Sequence, residues 1–195
     1  MNIKKFLCVV FLLLGSFSVS AANIFVEGGL HVGGDTLVTV TYFDDSTEKV
    51  RAGQLFSASV GFFGEAGEGL EWRASLGVKI DGIFAANGDV DFTRFPLELM
   101  LFDKGESFDM GLGLTYHLDP TLTVSADPSV IVSGTVGETN YDDAFGFLAE
   151  LDYKIGSKKN GYVGLKLTVI DYDLSGAGSV SESGNSLGVV LGIRF

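Results

Sequence analysis

The sequence predicts an all-β protein, an antiparallel barrel of eight strands. Two observations lead to this prediction: eight segments with apolar residues at every second position, and connections between them that alternate in length. A period of two places one set of side chains on one face of a strand and the other set on the opposite face. Residues 23–195 contain no run of about 18 apolar residues, so the apolar fraction of 46% is spread over strands and not over membrane helices.

Each alternating segment is bounded by a break that contains Gly, Asp or Ser. In the clearest segment, Gly69–Asp81, the apolar side chains from Leu70 to Ile80 alternate with charged or small residues. Every segment has the length of about 9–11 residues that a tilted membrane strand needs, and none has a sustained helical period. The eight segments are Asn23–Gly33, Gly53–Phe63, Gly69–Asp81, Asp91–Phe102, Phe108–Leu118, Ala144–Gly156, Gly161–Asp173 and Asn185–Phe195.

The connections between these segments are alternately short and long. This alternation is typical of small membrane barrels, which have short turns at one end and longer loops at the other. The short connections are Gly64–Glu68, Asp103–Ser107 and Ser157–Asn160, and the long ones are Gly34–Ala52, Gly82–Val90, Asp119–Asp143 and Leu174–Gly184.

The first long connection contains a further hairpin pattern. Leu37–Phe43 and Glu48–Arg51 alternate β-forming residues on either side of the turn-forming residues 44–47. Two interpretations remain: a protruding extension of the first two strands, or a separate strand pair that makes a ten-stranded barrel. We favour the extension, because one side of both halves is polar.

The second face of the strands carries charges of both signs, separated by glycines and serines. In a water-soluble protein these charges would form a solvated face. Eight strands enclose only enough space for side chains, so in a barrel with an apolar exterior the charges point inward and must pair. The predicted interior charge network comprises Glu27, Glu71, Arg73, Lys79, Arg94, Glu98, Glu150, Lys166 and Arg194.

The amino-terminal residues have the pattern of a secretory signal peptide. Lys4 and Lys5 precede the apolar run Phe6–Leu14, which is shorter than the roughly 20 residues of a membrane helix, and the small residues Ser18–Ala22 follow it. We therefore predict a cleaved signal peptide at residues 1–22 and one barrel domain at residues 23–195. The only cysteine, Cys8, lies within the signal peptide, so the barrel domain has no thiol chemistry.

The last segment alternates up to the final residue. A terminal strand with an apolar face and an aromatic carboxyl end resembles the assembly signal of bacterial outer-membrane barrels. Arg194 lies on the opposite face and joins the predicted interior charges. We predict that the apolar face forms a sorting and assembly signal, which comprises Leu187, Val189, Leu191, Ile193 and Phe195.

With its signal peptide, eight segments, alternating connections and final Phe195, the chain resembles the small outer-membrane barrels of the OmpA/OmpX type. The resemblance implies a transmembrane β-barrel with short periplasmic turns and longer outer loops, in the outer membrane of a Gram-negative bacterium. It also implies insertion by the barrel-assembly machinery and contact with outer-membrane lipid and lipopolysaccharide. Such barrels range from structural anchors to adhesins and lipid-modifying enzymes, so the resemblance implies no single activity.

Candidate catalytic and metal-binding residues are sparse. His31 and His117 are the two histidines, and both fall on the inward face. No serine stands beside His117 in the sequence, which departs from the histidine–serine pairing of the barrel lipid A deacylases. The acidic loop residues lack the spacing of a calcium-binding loop. We expect no catalytic residue, no cofactor and no metal site.

The net charge of −12 argues against nucleic acid as a partner, because phosphate binding requires clustered Lys and Arg. We predict a structural or surface-interaction role, in envelope integrity, adhesion or stress tolerance, with the acidic outer loops as the surface that meets a partner. The first alternative is a narrow channel for ions or small solutes. The second alternative is a lipid-modifying outer-membrane enzyme.

Overall fold

The computed structural model describes residues 23–42, 45–85, 88–126, 131–133, 136–176 and 180–195. The predicted signal peptide, residues 1–22, lies outside the described residues. The strands are β1 (Asn23–Gly33), β2 (Thr36–Thr41), β3 (Thr47–Arg51), β4 (Leu55–Gly67), β5 (Leu70–Ala85), β6 (Gly88–Lys104), β7 (Phe108–Ala126), β8 (Ile131–Ser133), β9 (Gly137–Asn140), β10 (Ala144–Ile155), β11 (Gly161–Asp173), β12 (Ser181–Ser183) and β13 (Ser186–Arg194).

Eight of these strands form a closed antiparallel barrel. Hydrogen-bonded neighbours follow the order β10, β11, β13, β1, β4, β5, β6, β7, and the pairing of β7 with β10 closes the ring. The eight-stranded prediction is confirmed, and the ten-stranded alternative is wrong. Short strands β9 and β12 continue the sheet at one end, on β7 and β11 respectively. No helix in the described residues is long and apolar enough to cross a membrane.

The two ends of the barrel differ in their connections. Three short turns, which join β4 to β5, β6 to β7 and β10 to β11, lie at one end, which we call the turn end. The other end, the loop end, carries the segments between β1 and β4, between β7 and β10, and between β11 and β13. The predicted connection Gly82–Val90 lies at the loop end and is mostly strand, because β5 and β6 continue through it as a paired hairpin. Their extension is stabilised by packing of Val90 and Phe92 into an apolar core above the barrel.

This second core belongs to a small sheet that covers the loop end. Strands β3, β2 and β8 pair in that order and do not join the barrel wall. The hairpin β2–β3 is therefore not a continuation of β1 and β4, the arrangement that we favoured from sequence. We call this sheet and its core the outer cap; its buried core residues are Val38, Val40, Val50, Ala52, Val90, Phe92, Leu122, Val124, Ala144, Ile170 and Tyr172.

The faces of the barrel wall follow the alternation of the sequence. Apolar side chains on the outer face are exposed, for example Leu30 at 65% and Leu112 at 69%. The last strand has the same pattern, since Leu187, Val189 and Leu191 are all more than half exposed. Charged residues lie on the inner face and are buried. The exterior is therefore apolar and the interior ionic, the reverse of a water-soluble protein.

Candidate functional site: the charged barrel lumen

The lumen is built from large side chains that face glycines across the barrel wall. Tyr162 is fully buried, and its ring covers Gly192 on the neighbouring strand, where any Cβ would lie 2.1 Å from the ring. His31 covers Gly188 on the adjacent strand in the same way. Glycine is required at these positions because the rings occupy the space of a side chain. The small inward face of the last strand thus makes room for the lumen.

The lower lumen, toward the turn end, is centred on Arg73. Its Nε donates to Glu71 Oε1 at 2.8 Å, and its Nη1 donates to Asp152 Oδ2 at 2.7 Å across the barrel. A longer contact of 3.4 Å joins Nη1 to Glu150. The guanidinium also stacks on the Phe102 ring, 3.5 Å from its centroid. One cation therefore links strands from opposite walls.

Two further cations complete the base of the lower lumen around Asp109, a fully buried residue. Lys154 Nζ lies 2.8 Å from Asp109 Oδ1, and Arg194 Nη2 lies 3.1 Å from Asp109 Oδ2. Arg194 also approaches Asp152 and Glu71, at 3.8 and 3.7 Å. Every carboxylate at this level has a cationic partner within 4 Å.

Lys166 forms the centre of the middle level. Its Nζ lies 2.5 Å from Glu27, 3.0 Å from Glu150 and 3.1 Å from Glu98. The Tyr162 hydroxyl donates to the second oxygen of Glu27 at 2.8 Å. Since Glu150 also contacts Arg73, the two levels form one continuous network.

The upper lumen, toward the loop end, is organised differently. Lys79 and Arg94 lie directly opposite each other on β5 and β6, and their exposed fractions are 4% and 0%. Neither has a carboxylate within 4 Å among the described residues. Lys79 Nζ donates to Ser186 Oγ at 2.8 Å, and Arg94 Nη1 donates to the Phe92 carbonyl at 3.0 Å. These cations have neutral hydrogen-bond partners only.

The structure places all nine residues of the predicted interior network in the lumen. Seven of them are joined by ion pairs, whereas Lys79 and Arg94 are separated from that network. The ion pairs include four charged residues outside the predicted network, namely Lys104, Asp109, Asp152 and Lys154. Asp109, Asp152 and Lys154 fall on the inward face of their strands by alternation, whereas Lys104 lies in a predicted turn that the structure shows as the end of β6.

Both histidines lie in the upper lumen and are buried. His31 Nε2 lies 2.7 Å from Ser57 Oγ on the neighbouring strand, and His117 Nδ1 lies 2.6 Å from the Tyr172 hydroxyl. The residues beside His117 do not predict this contact, because Ser57 pairs with the other histidine and lies on a different strand. Ser57 has the inward parity on its own strand, and this parity could have identified it. Within the part of the chain that the structure describes, Nδ1 of His31 has no hydrogen-bond partner.

The lumen is nearly filled. It contains a small cavity of about 20 Å³ beside His31 and Lys79 and a second of about 10 Å³ beside Arg73. Above them, Phe92 packs edge-to-face on Tyr172 with ring centroids 5.3 Å apart, and both rings belong to the core of the outer cap. In the described residues no group of three or more His, Cys, Asp or Glu is arranged to hold a metal.

A closed wall of eight antiparallel strands, apolar outside and charged inside, is the fold of the small outer-membrane barrels of the OmpA/OmpX type. Among solved structures, Neisserial surface protein A is similar, with a TM-score of 0.55 and 11% identity over 90% of this chain and 100% of that one. Ail, the attachment invasion locus protein of Yersinia pestis, has a TM-score of 0.42 and 10% identity over 89% of this chain and 97% of that one. No protein-family model and no curated protein sequence matches the chain significantly.

Proposed function

We propose that this protein is an integral outer-membrane barrel with a structural or surface-interaction role and no conducting pore. The apolar exterior supports the membrane assignment, since exposed Leu and Val on all sides of a closed wall are suited to a lipid environment. By the loop-length rule, the turn end faces the periplasm and the loop end with its cap faces the outside. The surface location in the name of Neisserial surface protein A agrees with this proposal.

The closed lumen is the observation that carries the proposal. Arg73 contacts strands on opposite sides of the barrel, and Lys166 does so one level above it. The Phe92–Tyr172 ring pair and the outer cap lie over the loop end of the same path. An ion would have to displace buried ion pairs and then cross an apolar core, and both steps are costly. The narrow channel is therefore the less favoured alternative.

The loop end presents the surface that we propose for interaction. Many carboxylates there are exposed to solvent, namely Asp35, Asp45, Glu48, Asp89, Asp119, Glu138, Asp142, Asp143, Asp171 and Asp173. A partner with a basic surface would be attracted to this end, and the attraction would weaken with salt. Outer-membrane lipid and lipopolysaccharide around the wall, and the barrel-assembly machinery during insertion, are the other partners that we propose.

The third function, lipid modification, has little support from the lumen. The contact between His31 and Ser57 is the pairing that a serine nucleophile needs, but no carboxylate in the described residues orients the other ring nitrogen of His31. The pair also points into the filled interior, whereas a lipid substrate would lie against the outer face. We propose that the protein is not an enzyme.

The test combines location with conductance. Cells expressing the full chain are fractionated, and the folded protein is then reconstituted into planar bilayers. We expect a heat-modifiable band in the outer-membrane fraction and no discrete current steps. Discrete steps from the wild-type protein would replace the structural role by the channel, and recovery in the soluble periplasm would overturn the membrane assignment itself.

A further inference from the structure

The upper lumen contains an excess of buried positive charge. Lys79 and Arg94 are direct cross-strand neighbours, and like charges in this arrangement repel each other. Asp81, the nearest inward carboxylate on the same strand, accepts a hydrogen bond from the Arg51 amide and does not contact either cation within 4 Å. A buried charge without a counter-charge is strongly unfavourable. The lower lumen, by contrast, has more carboxylates than cations.

A cavity lies next to this excess charge. The approximately 20 Å³ space is bordered by Lys79, His31, Ser57 and His117, with Thr168 on the opposite wall. His31 is 96% buried, yet among the described residues its Nδ1 has no hydrogen-bond partner. Polar atoms of this kind in a native interior require a ligand, a water molecule or an ion. Glu27, Glu98 and Lys166 also border the cavity, and both carboxylates are bound to Lys166, so that Lys79 is the lining cation without a carboxylate partner.

We propose that this cavity binds a small inorganic anion of halide size. Lys79 supplies the positive charge, and Nδ1–H of His31 supplies a hydrogen bond in the tautomer in which the Ser57 hydroxyl donates to Nε2. A water molecule would fill the space but would leave the charge of Lys79 uncompensated. An anion both compensates this charge and gives His31 Nδ1 a hydrogen-bond partner. The small volume of this space favours the smallest anions over organic ones. The site does not depend on whether the barrel conducts, nor on its surface partner.

The first experiment measures the melting temperature of the purified full chain in detergent. Sodium chloride is varied against sodium gluconate at constant total ionic strength, so that screening is constant and only the small anion changes. Each tenfold increase in chloride above its dissociation constant should raise the melting temperature by about 3–6 °C. Bromide should act in the same way. Equal melting temperatures in chloride and gluconate would overturn the proposal.

Variants then locate the site. Lys79→Met should abolish the difference between chloride and gluconate, and Ser57→Ala should raise the apparent dissociation constant several-fold. Lys158→Met, in an exposed turn, is the matched control and should behave as wild type. A halide response that persists undiminished in both lumen variants would show that the ion binds elsewhere and would overturn the assignment. Bromide-soaked crystals of the wild-type protein give an independent result, with an anomalous peak beside Lys79 Nζ expected and its absence contradictory.

Discussion

The lower and upper halves of the lumen stabilise their buried charges in different ways. Below, Arg73, Lys166 and Arg194 each contact two or more carboxylates, and the charges form one network. Above, Lys79 and Arg94 rely on a serine, a carbonyl and an aromatic ring, and the outer cap lies over them. The difference shows that the lumen is not a uniform ionic filling. In the lower half, ion pairs join strands from opposite walls. The upper half has an excess of positive charge and lies beneath the outer cap.

The largest expected effect comes from breaking the lower network at its centre. Arg73→Met leaves Glu71 and Asp152 buried without their closest cation and removes one of the two cations at Glu150. The free energy of unfolding should fall by about 3–5 kcal/mol. Urea titration of the folded barrel in detergent, followed by its heat-modifiable gel mobility, measures the loss. Lys158→Met is the control at an exposed site. A loss below about 1 kcal/mol would mean that the lower network does not hold the walls together.

Loss of packing in the outer cap should have the next largest effect. Val50 is fully buried in the cap core, and Val50→Ala removes two methyl groups and leaves a cavity, at a cost of about 2 kcal/mol. Limited proteolysis should cut the loop end faster, while the barrel wall remains resistant. Val136→Ala, at an exposed site of the loop end, should change neither property. Equal protease resistance in Val50→Ala and wild type would contradict the cap as a packed unit.

A larger side chain on the last strand should displace His31 in the upper lumen. In Gly188→Ala the new Cβ would meet the His31 ring at 2.2 Å, so the ring must move away from Ser57, with an expected destabilisation of about 1–2 kcal/mol. Gly28→Ala is the matched control, because the nearest atom to its new Cβ lies at 3.7 Å. Thermal unfolding compares the two. A control variant as unstable as Gly188→Ala would indicate a backbone effect and not a clash with His31.

Lys79→Met gives the clearest comparison between the two halves of the lumen. It should change the free energy of unfolding much less than Arg73→Met does. No carboxylate loses a partner, and the repulsion of Arg94 disappears, so in gluconate the free energy of unfolding should change by less than about 1 kcal/mol or rise. The same urea titration measures it. A loss as large as that of Arg73→Met would show that Lys79 has a stabilising counter-charge.

The smallest expected effect lies outside the lumen, at Glu182 on β12. Burial, and secondly the charge of Asp35, raise the pKa of Glu182 above its ordinary value. Folding therefore favours the protonated carboxyl, so this contribution to stability is present below the unfolded-state pKa and is lost as the pH rises through the folded-state pKa. Glu182→Gln should be slightly more stable than wild type at neutral pH and equal to it in acid. Thermal unfolding at several pH values tests this, and a difference that grows on acidification would contradict it.

Local patterns in the sequence account for much of the fold. Alternation identified the eight wall strands and assigned Arg73, Lys79 and Arg194 to the interior. The pairs themselves could not be derived, because Arg73 meets Asp152 from a strand 79 residues away, and that contact depends on barrel register. Alternation also could not distinguish the cap strands from wall strands, since Val38 and Val40 have the period of both. Whether the apolar face of such a strand contacts lipid or a second core depends on which other strands of the chain pack against it.

The first and last strands of the barrel wall are neighbours, and this has a consequence for protein engineering. The Phe195 amide donates to the Ile24 carbonyl at 2.9 Å, and β1 and β13 are paired along most of their length. A short peptide could therefore join residue 195 to residue 23, and new termini could be opened at the exposed turn between Glu68 and Gly69. Such a circular permutant should keep every hydrogen bond of the wall. Because the strands form a closed ring, the same fold could be encoded with a different strand first in the sequence.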